Sequence, residues 1–223
     1  MGRPEIAAVA FDLDGLMFNT EALFVRVAGE MLKSRGKVFT PEIMAAMIGR
    51  QWAVAGPAFK KMAGLTETLD ELLAEKRERF FALLGTAVKP TPGLLNLLDA
   101  LDRRALPRCV ATSSRRDYAM GLLEQHNLLH RFAFILTAED IERSKPDPEI
   151  YRKAVERFGI EPAGMLVLED SPAGISAAKA AGAFAVAIPH EHSPAEGLVH
   201  ADRIVPRLDD PSLLEEIRVR SDG

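Results

Sequence analysis

A single cysteine, Cys109, is all the chain has, so neither a disulfide framework nor a cysteine metal site can be built, and a reducing, cytoplasmic setting fits. No window approaches an uninterrupted apolar span, and the start Met1-Gly2-Arg3-Pro4-Glu5 has no apolar signal core. Neither membrane spanning nor secretion is expected. Ile6 stands where a myristoylation pattern needs Ser or Thr. Basic stretches with interleaved aromatics are missing too, and the formal charge is −4 with a pI near 5.8. A nucleic-acid partner therefore has no electrostatic footprint here. What the chain does have is apolar material: 48% of its 223 residues are hydrophobic, enough for one large domain or one domain plus an insertion. A monomer or weak oligomer acting on a small molecule is the expectation.

Short apolar runs recur at 6–11, 108–112, 134–137, 165–168 and 184–188, with helical periodicity between most of them. That alternation is the mark of a parallel α/β sheet. Residues 18–89 break the rhythm: no strand reads out, and helices are expected near 20–34, 41–47, 54–62 and 66–84. The expected division is a core of 1–17 and 90–223 with a helical insertion of 18–89. The insertion ends at Lys89-Pro90-Thr91-Pro92-Gly93, a cluster that cannot continue a helix and suits a hinge.

Four stations carry chemistry. Phe11-Asp12-Leu13-Asp14-Gly15 puts two carboxylates at the carboxyl end of the first run, where ligands gather in an open sheet. Gly15 lets backbone N–H groups approach an anion, although an ordinary turn would read the same way. Thr112-Ser113-Ser114-Arg115-Arg116-Asp117 is a hydroxyl-rich turn opening a helix, suited to phosphate or to plain capping. In Ser144-Lys145-Pro146-Asp147-Pro148 two prolines fix the backbone around a lysine that can serve as a counter-charge, though loop lysines are commonly solvated. Glu169-Asp170-Ser171-Pro172-Ala173-Gly174 places two more acids before a helix, where they could merely complement its dipole.

All four lie at the carboxyl ends of successive expected strands and so converge on one sheet edge. Asp12, Asp14 and Asp170 gathered there would repel one another by a few kcal/mol per pair at an effective dielectric of about 20. Oxygen-only ligation points to a hard cation, Mg²⁺, which takes one or two carboxylates, waters and a phosphate oxygen. With Lys145, Thr112 and backbone amides added, such a site suits a phosphoryl group.

These motifs, with Ala177-Ala178-Lys179-Ala180-Ala181-Gly182 after the fourth, resemble the haloacid dehalogenase superfamily, and more narrowly its beta-phosphoglucomutase-like phosphatase branch. The match covers nearly the whole chain. The resemblance implies a Rossmann-like core of strand order 3-2-1-4-5, a helical cap at 18–89, Mg²⁺ as cofactor and a small phosphorylated substrate. It implies Asp12 as nucleophile and metal ligand, Asp14 as general acid/base and carbonyl ligand, and Asp170 as metal ligand. Thr112, Ser113 and Lys145 would bind the transferring phosphoryl group. An aspartate is ordinarily ionised at neutral pH and needs no base to attack phosphorus, and the implied reaction is hydrolysis of a phosphate monoester rather than a mutase transfer, because Phe24 stands where the mutases carry a histidine, ten positions after the second aspartate.

Thr112-Ser113-Ser114 also differs from the Thr-Asn-Lys usual in phosphoglycolate phosphatases, so the chain looks closer to sugar-phosphate and pseudouridine-phosphate phosphatases. A phosphomutase and a non-catalytic binding module are the alternatives, the complete acid set arguing against the module. Arg50, in Gly49-Arg50-Gln51-Trp52, is the candidate for substrate selection, against a solvated arginine beside a packed tryptophan. Lys60 and Lys61 are weaker candidates. Asn19 and Thr20 are expected to cap the first helix of the insertion. His190-Glu191-His192 is not expected to hold metal, because its residues alternate in a short loop without a third partner in sequence.

Overall fold

The computed structural model describes residues 5–47, 52–190, 193 and 195–217. In chain order its elements are β1 (Ala8–Phe11), α1 (Glu21–Lys33), α2 (Pro41–Met47), α3 (Trp52–Ala63), α4 (Leu69–Ala87), α5 (Leu94–Arg103), β2 (Arg108–Ala111), α6 (Arg116–Gln125), β3 (Phe134–Leu136), α7 (Glu149–Phe158), β4 (Met165–Glu169), α8 (Pro172–Ala180), β5 (Phe184–Ala187), α9 (Ala195–Leu198), β6 (Arg203–Ile204) and α10 (Pro211–Glu216). The chain divides into two compact units, one formed by the residues up to Phe18 and from Pro90 onward, the other by Asn19–Lys89. Among the described residues no helix is long and apolar enough to cross a membrane.

The first unit is built on six parallel strands in the order β3-β2-β1-β4-β5-β6. The expected order thus gains a sixth strand, whose two residues are too few to stand out as an apolar run. Every residue of β1, β2 and β4 is buried, as a parallel sheet with both faces covered requires, and this is why these strands read as continuous apolar runs. On one face Ala8, Ala10, Cys109, Ala111 and Val167 pack with Ile150, Tyr151 and Ala154 of α7 and with Ile175 and Ala178 of α8. The intervening Val9, Phe11, Val110, Leu166 and Leu168 are buried as well, and Phe11 meets Phe132 edge to face at 5.8 Å. In α5 the buried Leu94, Leu97, Leu98 and Leu101 follow the spacing of one helical face.

Strand order places β1 beside β4, where the direction of the crossovers reverses. In sheets of this type that boundary is where a crevice opens beyond the carboxyl ends of the strands. Asp12 N–H donates to Leu168 C=O at 3.1 Å, and Ile188 N–H donates to Glu169 C=O at 2.7 Å. The chain segments leaving β1, β4 and β5 are thereby stitched together.

The helical unit pairs α1 with α4 and α2 with α3. Arg35 joins the chain past α1 to Glu67 (2.6 Å) and to Glu75 of α4 (2.5 Å). Thr68 and Glu71 form a capping box that starts α4. Thr20 precedes α1, but its side chain makes no capping bond, so the expected Asn19/Thr20 cap is absent. Lys60 donates to the carbonyls of Thr66 and Glu67 and closes the turn after α3. Phe24 stacks on Phe80 with ring centroids 4.7 Å apart, and the Lys76 ammonium lies over its ring at 4.6 Å.

Candidate active site

The acids at the ends of β1 and β4 lie around one lysine. Lys145 Nζ donates to Asp12 Oδ1 at 2.5 Å, to Glu169 Oε1 at 2.6 Å and to the Ala111 carbonyl at 2.9 Å. All three ammonium protons are thus used, by groups at the ends of β1, β4 and β2. Lys145 is buried, contrary to the solvated loop lysine that was the plainer reading. Burial alone would lower its pKa, but Asp12 and Glu169 outweigh that and hold it well above the ordinary lysine value. The Tyr151 ring lies 5.1 Å from the ammonium, and its hydroxyl donates to Glu169 Oε1 at 2.6 Å.

Asp12, Glu169 and Asp170 each offer a carboxylate oxygen within 4.8 Å of the others, and all three are buried. Burial drives Asp12 well above the usual carboxylate range against the pull of Lys145, and the charges of Glu169 and Asp170 add to the rise. Asp170 is pushed up to about 6, again chiefly by burial, with the His190 bond opposing and Glu169 adding. Three buried acids share one ammonium, so a further cation would stabilise their ionised forms.

An all-oxygen donor set fits Mg²⁺. Glu169 is poorly suited to be a ligand, because Lys145 and Tyr151 bind Oε1 while the Ser171 hydroxyl (2.9 Å) binds Oε2. Its carboxylate anchors the lysine instead. Asp12 and Asp170 are then the side chains suited to a metal.

Asp14 is turned to a different neighbourhood. Its Oδ2 accepts from the Ser114 hydroxyl at 2.5 Å and its Oδ1 from the Tyr118 hydroxyl at 2.6 Å, so α6 and the turn before it grip both oxygens. Thr112 is buried at the end of β2, where its hydroxyl accepts from Ser114 N–H at 3.0 Å. Ser113 beside it is exposed. Gly15 has a φ of +86°, a left-handed conformation, and a Cβ there would overlap the Asp170 carboxylate. Only glycine lets the first motif approach the fourth so closely.

Asp12, Lys145 and Asp170 are therefore brought together, with Asp14 and Thr112 on the neighbouring loops, while Arg50 lies outside the described residues. Glu191 and His192 also lie outside them, but His190 Nε2 is 3.0 Å from Asp170 Oδ2. Sequence reasoning weighed His190 only as a metal ligand and passed over Tyr118 and Tyr151. For Tyr151 a signal existed, since Ile150, Tyr151, Ala154 and Val155 form the inward face of α7. For the other two no local pattern announces a partner 20 or 104 residues away.

A family model described as haloacid dehalogenase-like hydrolase matches residues 9–188. The chain is 34% identical over 203 residues to a validoxylamine A 7'-phosphate phosphatase of Streptomyces hygroscopicus subsp. limoneus, covering 89% of this chain and 92% of the relative. It is 30% identical over 217 residues to a (DL)-glycerol-3-phosphatase 2 of Arabidopsis thaliana, covering 94% and 90%. Among solved structures, a HAD family hydrolase from Deinococcus radiodurans with bound phosphate and sodium aligns with a TM-score of 0.74 and 26% identity, over 90% of each chain.

Proposed function

This chain belongs to the haloacid dehalogenase-like hydrolase family, and on that premise we propose that it is a Mg²⁺-dependent phosphatase of a small phosphate monoester, a sugar phosphate or related metabolite, working through an aspartyl phosphate on Asp12. The observation that carries the reading is the buried cluster of Asp12, Glu169 and Asp170 around Lys145. Its charge balance calls for a cation, and its one lysine is tied to the carboxylate assigned as nucleophile. The phosphatase names of the relatives that align over most of the chain support the same reaction class.

Lys145 fixes Asp12 by binding Oδ1, which orients the carboxylate toward an incoming phosphorus. In the first step an Asp12 oxygen bonds to phosphorus as the ester P–O bond breaks, and protonated Asp14 delivers its proton to the departing alkoxide. In the second step Asp14 takes a proton from water, whose oxygen attacks the phosphorus, releasing phosphate and regenerating Asp12. Mg²⁺, held by Asp12, Asp170 and the Asp14 carbonyl, would balance charge on the phosphoryl oxygens. Thr112 and Ser113 at the end of β2, with Lys145, are assigned to the phosphoryl group. Ser114 and Tyr118 hold Asp14 by its two oxygens, so the acid can keep one hydroxyl as its positioning contact while the other oxygen meets the leaving group.

The test is phosphate release from a panel of sugar phosphates, glycerol phosphate, nucleotides and pseudouridine 5'-phosphate, with Mg²⁺ and with chelator. Release should require Mg²⁺, and acid-quenched protein should carry labile phosphate that is missing from Asp12→Asn. Near-native release by Asp12→Asn would overturn the reading.

A further inference from the structure

We propose that His190 is a positioning residue of the metal centre: it holds one oxygen of Asp170 so that the other is presented to the cation. The proposal rests on the assignment of Asp170 as a metal ligand. Three separate contacts carry it. His190 Nε2 lies 3.0 Å from Asp170 Oδ2. A carboxylate oxygen has no proton to give, so Nε2 is the donor and the imidazole tautomer is set by this bond.

The loop that bears His190 also grips the main chain of Asp170. The Ser193 hydroxyl donates to the Asp170 carbonyl at 2.9 Å and accepts from His190 N–H at 3.1 Å. Both ends of Asp170 are thus tied to the segment following β5, one by a side chain and the other through a hydroxyl relay.

Gly15 supplies the third contact. A Cβ at this position would overlap the Asp170 carboxylate and lie 3.2 Å from His190 Nε2. The backbone of the first motif therefore packs against the His190–Asp170 pair, which is enclosed by the loops after β1, β4 and β5. The side chain of Asp170 is 8% exposed and that of His190 is 24% exposed, so water competes little for the bond. A ligand carboxylate whose second oxygen is already bonded enters the metal shell in one orientation and loses less rotamer freedom on binding. Removing such an outer partner commonly weakens metal affinity by about 10–100-fold.

The experiment titrates the metal-free full-length chain with Mn²⁺, a spectroscopic stand-in for Mg²⁺, and reads free and bound ion by electron paramagnetic resonance. His190→Ala and His190→Leu should weaken Mn²⁺ binding by about tenfold or more, whereas His190→Gln, which keeps an N–H at the end of its side chain, should recover most of the loss. Melting in chelator accompanies each variant, and the comparison of Leu with Gln stands even if Ala folds poorly. Native-like Mn²⁺ affinity in His190→Leu overturns the proposal. So does nitrogen hyperfine coupling on the bound Mn²⁺ that disappears in His190→Gln, since it would make His190 a direct ligand. Asp170→Asn separates the two levels: if it too binds Mn²⁺ as the native chain does, the metal-site assignment fails, and if it alone loses binding, only the role of His190 fails.

Discussion

Replacing Asp170 with Asn should make the metal-free protein more stable at alkaline pH and unresponsive to Mg²⁺. The Asp170 side chain is 8% exposed and shares its neighbourhood with Asp12 and Glu169, within 4.8 Å. Its carboxyl is pushed up to about 6, while an unfolded aspartate titrates near 3.9. The folded chain therefore keeps this proton across a window in which the unfolded chain has lost it. Stability drawn from the group is full below about pH 4 and is lost as pH rises through about 6. Above that window the ionised carboxylate costs the fold about 3 kcal/mol, from roughly two units at about 1.4 kcal/mol each. Asn keeps the shape and an acceptor for His190 but carries no charge. With about 2–4 °C per kcal/mol for a chain of this size, Asp170→Asn in chelator at pH 8 should melt about 5 °C or more above the native protein. The gap should close as pH approaches 4. Added Mg²⁺ should raise the native midpoint and leave the variant where it is. A variant that melts below the native protein at pH 8 in chelator would refute the reasoning, because it would mean the charge of Asp170 is already compensated inside the protein.

Lys145→Met should act in the opposite sense on stability, leaving Asp12 and Glu169 buried without their cation and costing about 3–5 kcal/mol; an unchanged denaturant midpoint would contradict this. Tyr118→Phe removes a donor to Asp14 and should slow kcat on an alkyl phosphate by about tenfold, while p-nitrophenyl phosphate, whose leaving group departs without a proton, is hardly affected. Equal losses on both substrates would show that Tyr118 does not act through the acid. Cys109 is fully buried and its thiol is held well above the ordinary value by burial, so a disulfide reagent should label it only as fast as the core opens; rapid labelling of the native chain would place the strand β2 outside the sheet.

What could be read from the chain beforehand follows from how local each signal is. β1, β2 and β4 stand out because both of their faces are buried and all their residues but Arg108 and Glu169 are apolar. β6, with only Arg203 and Ile204, owes its existence to the register it finds beside β5. Asp12 and Asp170 could be placed at strand ends because Asp12 follows its apolar run directly and Asp170 follows its own after Glu169 alone. The position of Lys145, 133 residues from Asp12, needed the strand order as well. Glu169 read as one more acid of the fourth motif, and its work as the anchor of Lys145 depends on Tyr151 and Ser171 closing around it. His190 and Tyr118 meet their acids through contacts made only when separate strand ends are assembled, so nothing in their immediate sequence names those partners.

The three bonds of Lys145 also bear on how this chain could lose its activity over generations. A lineage drifting from catalyst to binding protein would find Asp14 easy to discard, since its carboxylate is held by two hydroxyls at the rim. Lys145 and Glu169 would be kept long after the chemistry had gone, because they fasten the ends of β1, β2 and β4 to one another. In a descendant of this protein, an intact lysine would be a record of folding rather than a sign of enzymatic life, and the residue to inspect first would be the aspartate at position 14.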